Sequence, residues 1–243
     1  METTTYEQTP KSSTKVQVRS ETGRLDSEAR KGWAGFLSSI ATSESVERLV
    51  VEPLLAHFQN APEIRELIET QAADETRHYQ MFSDYVQKHF GYRKTHKTLT
   101  DRVVYGGFLP LIAAIGRRRP LSILLVLRFY ETFSIEIYRE LKKLAEQNGM
   151  TVLRELIESV ERDEWRHLAG LKKMSGGNVP WLDRAAAHAI ALVLRFDVHA
   201  GLWAIHNKKL RKNLLRIGLD PEYVNQAARL AQRKTLALAK QQE

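Results

Sequence analysis

Apolar residues recur at helical spacing along most of this chain. Trp33, Leu37, Ile40, Val51, Leu55 and Phe58 form one stripe and predict a first helix over 33–59. Asn60, Ala61 and Pro62 break it, and Pro62 suits the first turn of a second helix that runs to about Phe90. The second stripe is Ile64, Leu67, Ile68, Phe82 and Val86. A third helix over 121–147 is apolar nearly all round, which predicts a central position, and Asn148-Gly149 ends it. A fourth helix spans 151–174. After Gly176-Gly177 the pattern predicts one or two more, over 181–215 and 221–240, with Asp220 and Pro221 as a helix start. The connection from 90 to 120 is long enough to travel the length of a bundle. The expected fold class is therefore all-α: a four-helix bundle with one long crossover, plus additional C-terminal helices.

Residues 1–24 are rich in Thr, Ser, Lys and Glu and lack apolar periodicity, which predicts a disordered tail. Residues 25–243 read as a single domain, with a core bundle over 33–174 and C-terminal helices over 181–240. At 243 residues and 43% hydrophobic content the chain can bury a core of that size. There is no apolar run of the length a membrane span needs. The N-terminus has no apolar segment of the secretory kind. The expected location is cytoplasmic, with contact at a membrane periphery.

Cysteine is absent. Any metal must then be held by carboxylates and imidazoles. The formal charge is +8 and it is patchy. Arg117, Arg118 and Arg119 form one cluster; Lys208, Lys209, Arg211, Lys212 and Arg216 form another. Such clusters meet anionic lipid, or serve as a solubilising surface. Nucleic acid is not expected as a partner.

An internal repeat narrows the chemistry. Residues 65–78 read RELIETQAADETRH and residues 154–167 read RELIESVERDEWRH, identical at nine of 14 positions without a gap. Two related helical hairpins are the natural reading. Each copy carries Glu-x-x-His: Glu75 with His78, and Glu164 with His167. Residues i and i+3 share a helix face, and in both copies that face is the apolar stripe. Four ionisable groups thus point into a low-dielectric core, where each would cost several kcal/mol without a partner. A pair of divalent metal ions offers the compensation.

Each hairpin must add a carboxylate from its first helix. Glu44 and Glu47 both face inward on the first helix. On the third helix, Glu131 lines up with Leu124, Ile135 and Tyr138, whereas Glu136 points well around the helix. Height along the bundle does not separate the pairs, because both lie within one turn of level with the Glu-x-x-His motifs. The shared offset of 89 residues favours Glu47 and Glu136.

The arrangement resembles the ferritin-like di-iron carboxylate superfamily, which includes rubrerythrin, the small subunit of ribonucleotide reductase, demethoxyubiquinone hydroxylase and aldehyde-deformylating oxygenase. The resemblance covers about residues 33–174. In several of these families the helix-three ligand begins Glu-x-x-small-x-x-x-Tyr, which Glu131, Ser134 and Tyr138 match. The resemblance therefore implies a metal-ligand set of Glu44, Glu75, His78, Glu131, Glu164 and His167, with Glu47 and Glu136 as alternates. Two iron ions are the implied cofactor, manganese the alternative, and O2 the co-substrate.

The implied activity is that of an O2-dependent hydroxylase or oxygenase. The greasy third helix and residues 103–115 suggest a small hydrophobic, lipid-like substrate, and an external electron donor is the other expected partner. A ferritin- or rubrerythrin-like protein for iron storage or peroxide detoxification is the alternative. A homodimer fits either. Three further groups stand near this chemistry. Asp74 and Asp163 could accept a hydrogen bond from the histidine of the other hairpin, or pair with Arg77 and Arg166 at the surface. Tyr79, Tyr130 and Tyr138 are relay candidates or ordinary core tyrosines. His188, His199 and His206 could line a substrate channel, or mark an amphipathic face.

Overall fold

The computed structural model describes residues 21–92, 109–174, 179–189 and 204–240, without the side chains of 48, 49, 52, 53, 109, 110, 113, 204–207 and 236–240. Helix α1 is Ser27–His57 and α2 is Pro62–Phe90. Leu109–Arg118 forms α3, Pro120–Gln147 forms α4 and Thr151–Met174 forms α5. Residues 181–189 form α6. Ala204–Arg216 is α7 and Pro221–Lys240 is α8. Every described regular element is helical, and no described helix is long and apolar enough to cross a membrane.

Local chemistry sets the helix ends. Asp26 accepts a hydrogen bond from the Ala29 amide at 2.7 Å, which caps α1 and starts it six residues before the apolar stripe does. Pro62 opens α2, and Gly91 closes it at φ 64°. That left-handed φ suits glycine, which has no Cβ to clash.

The N-terminal tail needs correcting at its end. Glu21–Arg24 is a 3-10 turn, and Thr22 is fully buried. The Glu21 carboxylate accepts from the backbone amides of Val152 and Leu153 at 2.8 and 3.2 Å and from the Tyr85 hydroxyl. It thus caps α5 from 131 residues away, a long-range partner that periodicity cannot reveal. Residues 1–20, and 190–203 of the expected fifth helix, lie outside the described residues.

Helices α1 and α2 pack as one hairpin and α4 and α5 as another, with α1 against α4 and α2 against α5. A second layer of α3, α7 and α8 covers the α1–α4 side. Gly32 and Gly35 make the α7 contact close. A Cβ on Gly32 would stand 2.6 Å from Arg216 Cβ and 3.0 Å from the Asn213 carbonyl oxygen, while the nearest atoms to one on Gly35 belong to the rotatable end of the Asn213 side chain. Gly32→Ala should therefore cost about 1–3 kcal/mol by overpacking, and Gly35→Ala less. Chemical denaturation of the two variants checks the order.

The core is split. One apolar cluster includes Trp33, Leu37, Phe82, Leu141, Ile157 and Leu214. The other includes Val50, Leu54, Ile68, Ile123, Leu127 and Leu171, and Phe133 touches both. On α1, α2 and α5 most of the buried residues between these clusters are acids and histidines. α4 fits its expected central place, with most of its residues from Ser122 to Ala145 buried.

Candidate metal centre

The polar layer between the two clusters draws on all four bundle helices. α1 contributes Glu44, α2 Glu75 and His78, α4 Glu131, and α5 Glu164 and His167, all buried. They fall into two overlapping groups. Glu44, Glu75, His78 and Glu164 offer ligand atoms within 4.8 Å of one another, and so do Glu75, Glu131, Glu164 and His167. Glu75 and Glu164 belong to both.

The orientation of these two shared carboxylates is informative. Glu75 turns Oε2 to His78 Nδ1 at 3.7 Å and Oε1 to His167 Nδ1 at 3.2 Å. Glu164 turns Oε1 to His78 Nδ1 at 3.5 Å and Oε2 to His167 Nδ1 at 3.3 Å. Each thus spans the two half-sites. The other two carboxylates each have one oxygen in a hydrogen bond, and in Glu131 that oxygen also stands 3.4 Å from His167 Nδ1. Glu44 Oε1 accepts from the Tyr138 hydroxyl at 2.5 Å, and Glu131 Oε1 accepts from Gln71 Nε2 at 2.5 Å.

Several of the remaining atoms lack hydrogen bonds, while Glu164 Oε2 and His167 Nδ1 meet at 3.3 Å. Glu44 Oε2, both oxygens of Glu75, Glu131 Oε2 and His78 Nδ1 are buried without a hydrogen-bond partner among the described residues. Orphaned polar atoms in a core are costly, yet here they converge on two points. A pair of divalent ions fits this donor set of carboxylate oxygens and imidazole nitrogens, which suits iron, manganese or zinc.

The electrostatics follow from the crowding. Burial pushes the Glu44 and Glu131 carboxyls well above their usual range, and the neighbouring carboxylates add to it. Burial opposes the charged form of His78, but contact with Glu44 and Glu75 outweighs it and raises that ring to about 10. His167 is raised in the same way, by Glu131, Glu164 and Glu75. Both directions arise from carboxyl groups crowded together in a low-dielectric core.

A symmetric ring closes the outer side. His78 Nε2 meets Asp163 Oδ2 at 3.2 Å, and His167 Nε2 meets Asp74 Oδ2 at 3.1 Å, so each histidine is held by the opposite hairpin. Arg77 pairs with Asp74 and Asp163 at 2.6 and 2.7 Å, and Arg166 with the same two at 2.6 and 2.8 Å. Burial raises the Asp74 and Asp163 carboxyls, but the arginine and histidine contacts outweigh it and hold both below their usual range. An ionised aspartate accepts from Nε2–H, which leaves Nδ1 free to face the carboxylates. The two expectations for these aspartates, histidine partner and arginine pair, are both met.

Of the alternates, Glu136 stays outside the cluster: it is partly buried and pairs with Arg139 and Lys234. Glu47 is buried beside it, 4% exposed, without a hydrogen-bond or ion-pair partner among the described residues. Burial pushes its carboxyl up, and the charges of Glu75, Glu131, Glu44 and Glu164 push it further. Tyr79 is exposed. His188 is exposed as well and lines nothing in the cluster, while His199 and the His206 side chain lie outside the described residues. Sequence reasoning missed Gln71. Its signal was present, since it lies one turn before Glu75 on the same inward face.

The family model described as rubrerythrin matches residues 36–175, more than half of the chain and all four bundle helices. No curated protein matches the chain in sequence.

Proposed function

The chain belongs to the rubrerythrin family, a ferritin-like di-iron group, and on that premise we propose that it is a non-haem di-iron, O2-dependent oxidoreductase acting on a hydrophobic substrate. Glu44 and His78 would hold one iron and Glu131 and His167 the other, with Glu75 and Glu164 within reach of both. The observation that carries this reading is the pair of overlapping groups that share those two carboxylates. A bound ferrous pair supplies electrons and Lewis acidity for reducing O2.

The residues of the chain would do the rest. Tyr138 holds Oε1 of Glu44 and leaves Oε2 toward His78, and Gln71 holds Oε1 of Glu131, the oxygen that faces His167. Asp74 and Asp163 fix the histidine rings. Apolar clusters on both sides keep water out, so a reactive centre is not quenched, and a greasy substrate is favoured over a polar one.

Anaerobic loading with Fe(II), followed by O2-uptake measurements with and without lipid extract, tests this. Uptake of about two irons per chain and O2 consumption stimulated by the extract are expected. A chain that takes up no Fe(II) would end the di-iron reading. Family membership also supports a second reading, peroxide detoxification or iron storage. Faster turnover of hydrogen peroxide than of O2, without any lipid effect, would favour it over the oxygenase.

A further inference from the structure

Charge is segregated between the two layers of this fold. The bundle helix α2 carries six acids against three lysines and arginines. The outer layer is the reverse: α3 and α7 contain no acid, and the single acid of α8 is Glu222. Arg117 and Arg118 end α3, and Lys208, Lys209, Arg211 and Lys212 line α7. All six are exposed, and none pairs with an acid among the described residues.

α3 packs on α1 and α4, α7 packs on α1, and α8 packs on α4, so the three lie on the same side of the bundle. α7 sits toward the Trp33 cluster and α3 toward the Val50 cluster, and α8 reaches both. The ion ring of Asp74, Arg77, Asp163 and Arg166 lies on the opposite α2–α5 side. Lys208, Arg211, Lys212 and Leu215 follow i, i+3, i+4, i+7 spacing and form one outward stripe of α7. Leu214 and Ile217 face the core instead.

Apolar residues stand among these charges. Leu215 is 59% exposed and Leu111, on α3, is 57% exposed. Trp181 at the start of α6 is 67% exposed, and α6 joins this layer through an ion pair of Asp183 with Arg119 at 3.7 Å. Scattered cations alone would serve solubility. Cations unpaired on one side and interspersed with exposed leucine and tryptophan match a bilayer interface, where phosphate headgroups take the charge and the acyl boundary takes the apolar side chains. A nucleic acid would use the charge but not the leucines.

The geometry points to the α3–α7–α8 layer as a docking surface for an anionic lipid bilayer, which the chain would meet peripherally. This surface stands apart from the metal reading, because none of its residues belongs to the cluster.

Sedimentation of the full chain with phosphatidylcholine vesicles, with and without phosphatidylglycerol, tests it. Binding is expected to the anionic vesicles only, and to fall roughly tenfold when salt is raised from low to well above physiological ionic strength. Arg117→Glu with Arg118→Glu, and separately Lys208→Glu with Lys212→Glu, should each weaken it by a similar factor. Leu111→Ser with Leu215→Ser should weaken it at fixed charge. Arg65→Glu with Arg162→Glu, on α2 and α5, should leave it unchanged. Equal binding to neutral vesicles, no binding at low salt, an equal loss from the α2 and α5 reversals, or displacement of the vesicles by a short DNA duplex would each overturn the proposal. Circular dichroism of every variant shows that loss of binding is not loss of fold. Because vesicle binding is read on metal-free and iron-loaded protein alike, its failure is distinct from a failure of the di-iron reading.

Discussion

Glu75→Gln and Glu164→Gln are each expected to empty both metal positions, whereas Glu44→Gln and Glu131→Gln are expected to empty one. The reason is the sharing. Glu75 and Glu164 each place one oxygen toward either histidine. Glu44 belongs to the His78 group alone and Glu131 to the His167 group alone. Replacing a carboxylate with its amide keeps the shape but removes a negative charge that offsets the charge of the ion.

Metal analysis after anaerobic Fe(II) loading and desalting would read close to zero per chain for the bridging variants. It would read about one for the terminal variants and about two for the parent. Glu136→Gln, outside the cluster, should keep about two and lose at most an ion pair of roughly 1 kcal/mol. A Glu75→Gln protein that retains one firmly bound iron would show that the carboxylate is not shared. Metal loss in Glu136→Gln but not in Glu131→Gln would reverse the assignment on α4.

The second large effect is expected at the aspartate ring, and its pattern is crossed. Asp74→Asn should weaken the metal held by His167, on the other hairpin, and Asp163→Asn the metal held by His78. Loss of such a partner to a ligating histidine lowers metal affinity roughly 10- to 100-fold, because the ring is no longer held with its proton on Nε2. The same substitution removes one of the two anions between Arg77 and Arg166. The guanidinium groups then share a single aspartate, so the contact between α2 and α5 should loosen as well.

Co(II) titration, followed by its absorption bands, separates the two half-sites. Asp74→Asn should convert one tight step into a weak one and leave the other in place. Glu131→Gln added to Asp74→Asn should then remove the weak step and still leave the other in place, since both act on the same ion. If Asp74→Asn weakens both steps equally, the ring acts on the bundle as a whole and not through its histidines.

The sequence alone determined the helices and the two Glu-x-x-His motifs. Both are local properties: a period of 3.6 residues places i and i+3 on one face, whatever the helix later packs against. Glu75 with His78 and Glu164 with His167 were therefore legible before any contact was known. The sequence ranked Glu131 above Glu136, since five residues rotate a side chain well around the helix, but the 89-residue offset kept Glu136 as an alternate.

Tertiary structure decided what depends on how the hairpins slide and cross. Glu44 lies 13 residues before the end of α1, whereas Glu131 lies 16 before the end of α4. The difference is about one turn, so both still face the cluster, and the 89-residue offset of the repeat does not extend from α2 and α5 to α1 and α4. The exchange of Asp74 and Asp163 across hairpins, the docking of Gln71 on Glu131 and the capping of α5 by Glu21 join residues 60 to 132 positions apart. No periodicity encodes such pairs. They form because a buried polar atom must find a partner, and only the packed helices determine which one lies within reach.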